Sequence, residues 1–225
     1  MGYYRAGFDI VGVDIKPMPR YPFEFHQADA LEYCMEHGHE FDVIHASPPC
    51  QAYTGLRHLT LARYGKAPHH PDLINLVRRS LLETNKTFII ENVQFSPLAT
   101  QFILCGAAFG LSHLARHRHF ESNFMFMNVP LCKHKSNEYT IGVYGNKPDG
   151  RRVSQTRYRL SRVARSLEEA QKEMEIDWMT WDEIREAVPP AYTEWIGKQL
   201  LNLPPSPSLS SRVDSCTRTL REGAR

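Results

Sequence analysis

The chain has 225 residues, of which 42% are hydrophobic and 23% charged, and its formal net charge is +2. This length and composition are typical of one globular domain, or of a domain with a small appendage. No apolar run approaches the roughly 18 residues of a membrane span, and no signal-peptide core is present, so we expect a cytoplasmic protein without a membrane partner. Five cysteines without C-x-x-C spacing predict reduced thiols, and neither a disulfide framework nor a metal site.

Short apolar runs alternate with helical patterns over the first two thirds of the chain. We predict strands over Phe8–Asp14, Phe41–Ala46, Thr87–Ile90 and Phe102–Leu104, and helices over Ala30–His37 and from Pro71 onwards. Strands separated by helices predict a mostly parallel sheet built from right-handed crossovers. The expected fold is therefore a doubly wound α/β fold.

The segment from residue 133 to residue 166 is rich in basic residues. It holds nine lysines and arginines against two acids, and a Gly/Asn/Pro-rich turn at 145–150. We predict a small basic insert here, over 125–166, that offers Arg151 and Arg152 to nucleic acid. A merely solvated basic loop is the alternative.

Helical signals return after the insert, and Pro189-Pro190 precedes a last amphipathic helix. The final residues are Pro/Ser-rich, then Arg-rich, without an apolar period, which predicts disorder. The predicted division is an α/β core over 1–124, the insert over 125–166, helices returning to the core over 167–202, and a disordered tail over 203–225.

The sequence Ser47-Pro48-Pro49-Cys50-Gln51 follows the second predicted strand directly. In an open α/β sheet, ligands bind beyond the carboxyl ends of the strands, which places the cysteine at the reactive edge. The paired prolines stiffen the loop and can hold the thiol in one orientation. For an isolated motif of this kind, a buried structural cysteine beside a proline turn is the commoner case.

Two further motifs carry ionisable side chains. Glu91, in the sequence E-N-V, follows the next predicted strand, again at a carboxyl end; alone it fits a helix cap or an exposed acid. Together with Cys50 it would supply a general acid beside a nucleophile. Arg116 and Arg118 alternate along a predicted strand and so point the same way. A solvated basic edge strand is the alternative.

The order P-P-C-Q, E-N-V and R-x-R, at these intervals, resembles the DNA (cytosine-5) methyltransferase family of phages and restriction-modification systems. The agreement extends to the strand end Val13-Asp14, the basic insert and the closing sequence P-P-A-Y-T-E-W-I-G, and covers roughly residues 1–202. The resemblance implies the fold of S-adenosylmethionine-dependent methyltransferases. It also implies double-stranded DNA as the partner, a monomer, and the cytoplasm of a bacterial host cell.

The resemblance implies a covalent mechanism at Cys50. A thiolate that adds to cytosine C6 enables C5 to attack the methyl group of S-adenosylmethionine. Glu91 would assist by protonating N3, with a pKa raised by burial. Arg116 and Arg118 would contact the flipped cytosine and the neighbouring backbone, with Arg118 on the base. Extruding the base from the duplex costs about a few kcal/mol.

Cofactor contacts follow from the same resemblance. Asp14 matches the acid that binds the ribose hydroxyls, Ile15 would lie beside the adenine, and Asp29 matches an acid near the adenine amino group. Pro48 would contribute from the loop before the nucleophile, and Gln51 would face the DNA. Each acid, taken alone, is an ordinary strand-end carboxylate.

The sequence departs from the family pattern in two places. The family opens with a strand and a glycine-rich loop around the methionine end of the cofactor, whereas Met1–Phe8 matches the helix after that loop. Leu114 stands where the family has the glutamine of Q-x-R-x-R. We therefore expect an N-terminally truncated sequence that binds S-adenosylmethionine weakly and whose activity is in question.

Other functions share parts of this pattern. Related enzymes use P-P-C-Q to methylate cytosine C5 in tRNA. An amino-methyltransferase is disfavoured, because that chemistry prefers an aromatic residue after the paired prolines and does not use a thiol. A catalytically silent nucleic-acid-binding protein would keep the basic insert without the cofactor loop.

Overall fold

A computed structural model of the chain describes residues 1–53, 72–134, 139–156 and 159–202, with the backbone alone in the strands between 152 and 160. The helices in this part of the chain are α1 (Gly2–Ala6), α2 (Ala30–His37), α3 (Ile74–Glu83), α4 (Leu167–Met174), α5 (Trp181–Ile184) and α6 (Pro190–Leu201). The strands are β1 (Val11–Asp14), β2 (Glu24–Gln27), β3 (Val43–Ala46), β4 (Thr87–Asn92), β5 (Phe102–Leu104), β6 (Arg118–Ser122), β7 (Tyr139–Gly142), β8 (Arg152–Thr156) and β9 (Arg159–Val163). The predicted tail, 203–225, and Pro71 lie outside the described residues.

The largest sheet has four strands in the order β3-β4-β6-β5. β3 and β4 are parallel, and β6 is antiparallel to both of its neighbours. Three strands therefore run one way and β6 runs against them, so the fold has mixed α/β content with a mixed sheet rather than a mostly parallel one. β6 is reversed because β5 leads to it through a short 3₁₀ helix, Gly106–Phe109, and not through a crossover helix.

Helices cover both faces of this sheet. Ile89 joins a hydrophobic cluster with Tyr192 of α6, whereas its neighbours Phe88 and Ile90 join another with Leu81 of α3. Successive residues of a strand point to opposite faces, so a continuous apolar run is what a strand between two helical layers requires.

The local predictions have mixed outcomes. The predicted helix Ala30–His37 and the predicted strand Phe102–Leu104 are confirmed with the same bounds. The strand expected over Phe8–Asp14 begins only at Val11, because its parallel partner β2 pairs with four residues. β2 itself was not predicted.

A second, smaller sheet lies in the basic insert, in the order β7-β9-β8. Its Ile141 and Val163 share a hydrophobic cluster with Met174 of α4, Ile184 of α5 and Leu114, which is only 1% exposed. α4 and α5 therefore pack with the insert, whereas α6 packs on the large sheet. The boundary predicted at residue 166 does not coincide with the boundary between hydrophobic clusters. No helix in the described ranges is long and apolar enough to cross a membrane.

Candidate active site

The three sequence motifs meet at one edge of the large sheet. β3 and β4 run parallel with Ala46 opposite Ile90, so the loop to Cys50 leaves at the edge where β4 ends. β6 runs antiparallel with Phe120 opposite Glu91, and it therefore starts at that same edge. Arg118, two residues before Phe120, lies on the same face as Glu91.

Glu91 and Arg118 form a buried ion pair. Nε of Arg118 lies 2.8 Å from Oε1 of Glu91, and the two side chains are only 15% and 7% exposed, respectively. Burial raises the pKa of the Glu91 carboxyl, while Arg118, a hydrogen bond with Ser47 and the charge of Arg116 act against that rise. The arrangement holds a carboxyl that is poised to take up a proton next to a fixed cation.

The loop that carries Cys50 is attached to β4 through Asn92. The side-chain amide of Asn92 donates to the carbonyl oxygen of Pro48 at 2.8 Å. The amide N–H of Tyr53 donates to the carbonyl oxygen of Cys50 at 2.9 Å, which closes a turn immediately after the cysteine. These bonds fix the thiol relative to Glu91, the neighbour of Asn92 in the same strand. The asparagine of E-N-V therefore has a positioning role that the sequence analysis did not assign.

Cys50 is half-buried and lies in the electrostatic field of the other motifs. Burial raises the pKa of its thiol; Arg118 and Arg116 oppose this rise, and Glu91 adds to it. The thiol is therefore the resting form, and the nearby arginines are the groups that favour a thiolate.

Arg116 has different partners from Arg118. Its guanidinium donates to the carbonyl oxygens of Val143, at 2.8 Å, and Arg185, at 2.6 Å, and only 7% of the residue is exposed. Tyr192 donates to the carbonyl oxygen of Arg116 at 2.6 Å. Burial lowers the pKa of Arg116 to about 9. The two arginines, which were expected to point the same way, thus differ: Arg118 is paired with Glu91, whereas Arg116 ties the site to the small sheet and to α6.

A series of hydrogen-bonded polar side chains leads away from Glu91, and the sequence analysis did not predict it. Ser47 hydrogen-bonds to Glu91, and its hydroxyl lies 3.2 Å from Nε2 of His45. Nδ1 of His45 lies 2.7 Å from the hydroxyl of Tyr3 in α1. Burial lowers the pKa of His45 to about 4, so the imidazole is neutral at physiological pH. Ser47 belongs to the P-P-C-Q loop, which was the available signal for its part in the site.

Three of the four residues expected to bind the cofactor lie where β1 and β2 end side by side, and the fourth, Pro48, lies on the loop after β3. Asp14 pairs with Gln27 in register, and its carboxylate accepts from the N–H of Lys16 at 2.8 Å. Ile15, immediately after the strand, is 68% exposed. Asp29 caps α2, because its carboxylate accepts from two N–H groups of the first turn, at 2.8 and 3.3 Å. The expected role of Asp29 at the adenine therefore competes with an observed role as a helix cap.

The residues expected to face DNA are only partly described. Gln51 is exposed in the turn after Cys50, and the side chain of Arg151 is 63% exposed, with Nε 3.8 Å from Oδ2 of Asp149. The side chain of Arg152 lies outside the described residues. Arg162 is 6% exposed and forms an ion pair with Glu169, so its charge does not contribute to the basic surface.

Comparison of the chain with family models, with curated proteins and with solved structures finds no match. The residues and their geometry are therefore the basis for a functional proposal.

Proposed function

We propose that this chain is the scaffold of a DNA (cytosine-5) methyltransferase, with Cys50 as the nucleophile. The observation that carries the proposal is the buried Glu91–Arg118 pair at the sheet edge, beside the loop that Asn92 holds in place. Helices on both faces of a mixed sheet support the expected doubly wound fold of S-adenosylmethionine-dependent methyltransferases.

The Glu91–Arg118 pair suits the edge of a cytosine ring. N3 and the carbonyl O2 are adjacent acceptors on that ring, and they match a protonated carboxyl beside a guanidinium. Burial favours the protonated form of Glu91, as a general acid for N3 requires. Arg118 would donate to O2 and would also favour the thiolate of Cys50. The base has to leave the duplex to enter this site.

The covalent step uses the thiolate of Cys50. Its sulfur forms a bond to cytosine C6, and the electrons of the C5–C6 double bond form a C4–C5 double bond. The C4–N3 double bond breaks, and its electron pair takes the proton of Glu91 at N3. C5 then has enamine character and can act as a nucleophile. After substitution at C5, N3 returns its proton to Glu91 and the C4–N3 double bond re-forms. C5 then loses its proton, the C5–C6 double bond re-forms and the C6–S bond breaks, which returns the thiolate.

The residues at the ends of β1 and β2 fit the nucleoside half of S-adenosylmethionine. Asp14 offers a carboxylate for ribose hydroxyls, and the exposed Ile15 offers an apolar surface for the adenine. Asp29 and Pro48 would complete the site, although Asp29 already caps α2 and the carbonyl of Pro48 accepts from Asn92. When bound, the cofactor supplies the electrophilic methyl group.

Exchange of the C5 hydrogen tests the proposal without the cofactor. If Cys50 adds to C6, C5 can take a proton from water, and reversal releases the original hydrogen. We expect the chain to release tritium from mixed-sequence duplex DNA that carries tritium at cytosine C5. Cys50→Ser should abolish the release, and Cys34→Ser, a change at a cysteine outside the site, should leave it intact.

The same assay separates the alternatives. Release from tritiated tRNA but not from duplex DNA would replace the DNA proposal with RNA cytosine methylation. No release from either nucleic acid, with retained binding to DNA, would indicate a catalytically silent nucleic-acid-binding protein. Release that persists in Cys50→Ser would remove the cysteine from its proposed role.

A further inference from the structure

Four metal-ligating side chains from separate parts of the chain converge beside the large sheet. Cys105 follows β5 directly, His117 directly precedes β6, and Cys132 and His134 lie on the segment that leads towards the small sheet. Their ligand atoms, two sulfurs and two ring nitrogens, all lie within 4.8 Å of one another. Cys105 is 1% exposed, whereas Cys132 is exposed. The cluster thus connects a buried strand end with the surface.

The ligand atoms of this cluster lie close enough together to surround one metal ion. The distance between Cys132 and His117 falls within the range of a tetrahedral site, whereas the distance between Cys105 and His134 is shorter than that range. Sγ of Cys105 lies 2.8 Å from Nε2 of His134, and Sγ of Cys132 lies 3.4 Å from Nε2 of His117. With zinc–sulfur bonds of about 2.3 Å and zinc–nitrogen bonds of about 2.0 Å, neighbouring ligands of a tetrahedron lie roughly 3.3–3.8 Å apart. Each thiol–imidazole pair could be explained as a separate hydrogen bond. That explanation gives no reason for the two pairs to meet.

We propose that Cys105, His117, Cys132 and His134 bind one zinc ion in a structural site. Two thiolates and two imidazoles are ligands that zinc prefers, and four protein ligands fill its tetrahedral shell without an open position for catalysis. Binding displaces the two thiol protons into solvent, because the thiolate is the form that ligates. The site does not depend on the function proposed above.

The zinc ion would hold the active-site strand in place. His117 stands between Arg116 and Arg118, so a bond from its ring to the metal fixes the start of β6. The other ligands fix the end of β5 and the segment of Cys132 and His134 to the same point. The metal would thus join three segments that are distant in the sequence, at the point where Arg116 and Arg118 lie.

Metal analysis of the purified chain tests the proposal. We expect about one zinc per chain, as a closed four-ligand site requires. Cys132→Ser is the informative variant, because this cysteine is exposed and its replacement removes no core packing. It should lower the zinc content several-fold, whereas Cys34→Ser, outside the cluster, should retain it.

Cobalt substitution gives an independent reading of the ligand set. The wild-type chain should give the visible bands of tetrahedral cobalt and thiolate-to-cobalt charge transfer in the near ultraviolet. Cys132→Ser, with one thiolate left, should lose about half of the charge-transfer intensity or all of it. A wild-type chain with neither bound zinc nor a tetrahedral cobalt spectrum would overturn the proposal. Full zinc and cobalt binding by Cys132→Ser would also contradict it.

Discussion

Nε of Arg118 lies 2.8 Å from Oε1 of Glu91, with both side chains largely withdrawn from water. The pair joins the start of β6 to the end of β4, two elements that are neighbours in the sheet but separated by β5 in the sequence. Burial raises the pKa of Glu91, whereas the charge of Arg118 lowers it. Substitution of either residue separates these two influences.

Glu91→Gln should change how stability depends on pH. Because the pKa of Glu91 is raised on folding, its contribution is fully present below the unfolded pKa of 4.5 and is lost as pH rises through the folded pKa. The free energy of unfolding of the wild type, relative to Glu91→Gln, should therefore fall as pH increases. Each unit of pKa shift corresponds to about 1.4 kcal/mol. Urea unfolding of both proteins at several pH values measures the difference. A difference that grows with pH would mean that the attraction of Arg118 outweighs burial.

The reactivity of Cys50 should respond to the same two charges in opposite directions. Glu91→Gln removes a negative charge and should lower the pKa of Cys50, whereas Arg118→Met should raise it. A pKa change of one unit alters the thiolate fraction about tenfold, so we expect changes of a few-fold in alkylation rate at neutral pH. Mass spectrometry that resolves the alkylated peptides measures each cysteine separately.

Cys34 provides the internal control for this experiment. Burial is the cause of its raised pKa, so its alkylation rate should be the same in both variants. Equal changes at Cys34 and Cys50 would point to a general loosening of the fold and would count against the electrostatic explanation.

Arg116→Met should destabilise the fold. The substitution keeps most of the side-chain volume but leaves the carbonyls of Val143 and Arg185, in a buried and a partly buried position, without this donor. At about 1–3 kcal/mol for each of the two lost partners, the free energy of unfolding should fall by roughly 2–6 kcal/mol. Arg79→Met, on the exposed side of α3, should change it by less than about 0.5 kcal/mol. Equal stabilities in chemical unfolding of the two variants would show that Arg116 does not anchor these segments.

The basic insert should govern non-specific binding to duplex DNA. Each phosphate contact contributes about −0.9 to the slope of log affinity against log salt, so Arg151→Ala with Arg152→Ala should flatten the slope by roughly 1.8. Binding should weaken across many DNA sequences. The double variant Arg79→Ala with Lys172→Ala removes the same charge from exposed positions outside the insert. If both double variants have the same slope, the basic side chains of the insert are merely solvated and do not contact the DNA.

Local sequence signals determined several elements correctly. α2 begins at Ala30 because Asp29 caps its first turn, and the cap and the N–H groups it binds lie within a few adjacent residues. The helix α3 was also expected, but the sequence did not show which of its apolar side chains are buried. Leu76 and Leu82 are 47% and 53% exposed, while Leu81 is buried against the sheet. A row of leucines predicts a helix, and the position of the neighbouring strands decides which of them it buries.

The sequence pattern predicted that Cys50 comes just after one strand, that Glu91 lies at the end of another and that Arg118 lies along a third. The packing of distant segments makes these strands neighbours, with β6 reversed between β4 and β5, so that all three residues lie at one edge of the sheet. The Cys105–His117–Cys132–His134 cluster shows the same limit. Cys132 and His134 are two residues apart in the sequence, but the other two members of the cluster come from strand ends that only packing brings near. Hydrophobic periodicity encodes the faces of each element, whereas contacts between distant elements depend on how those faces pack together.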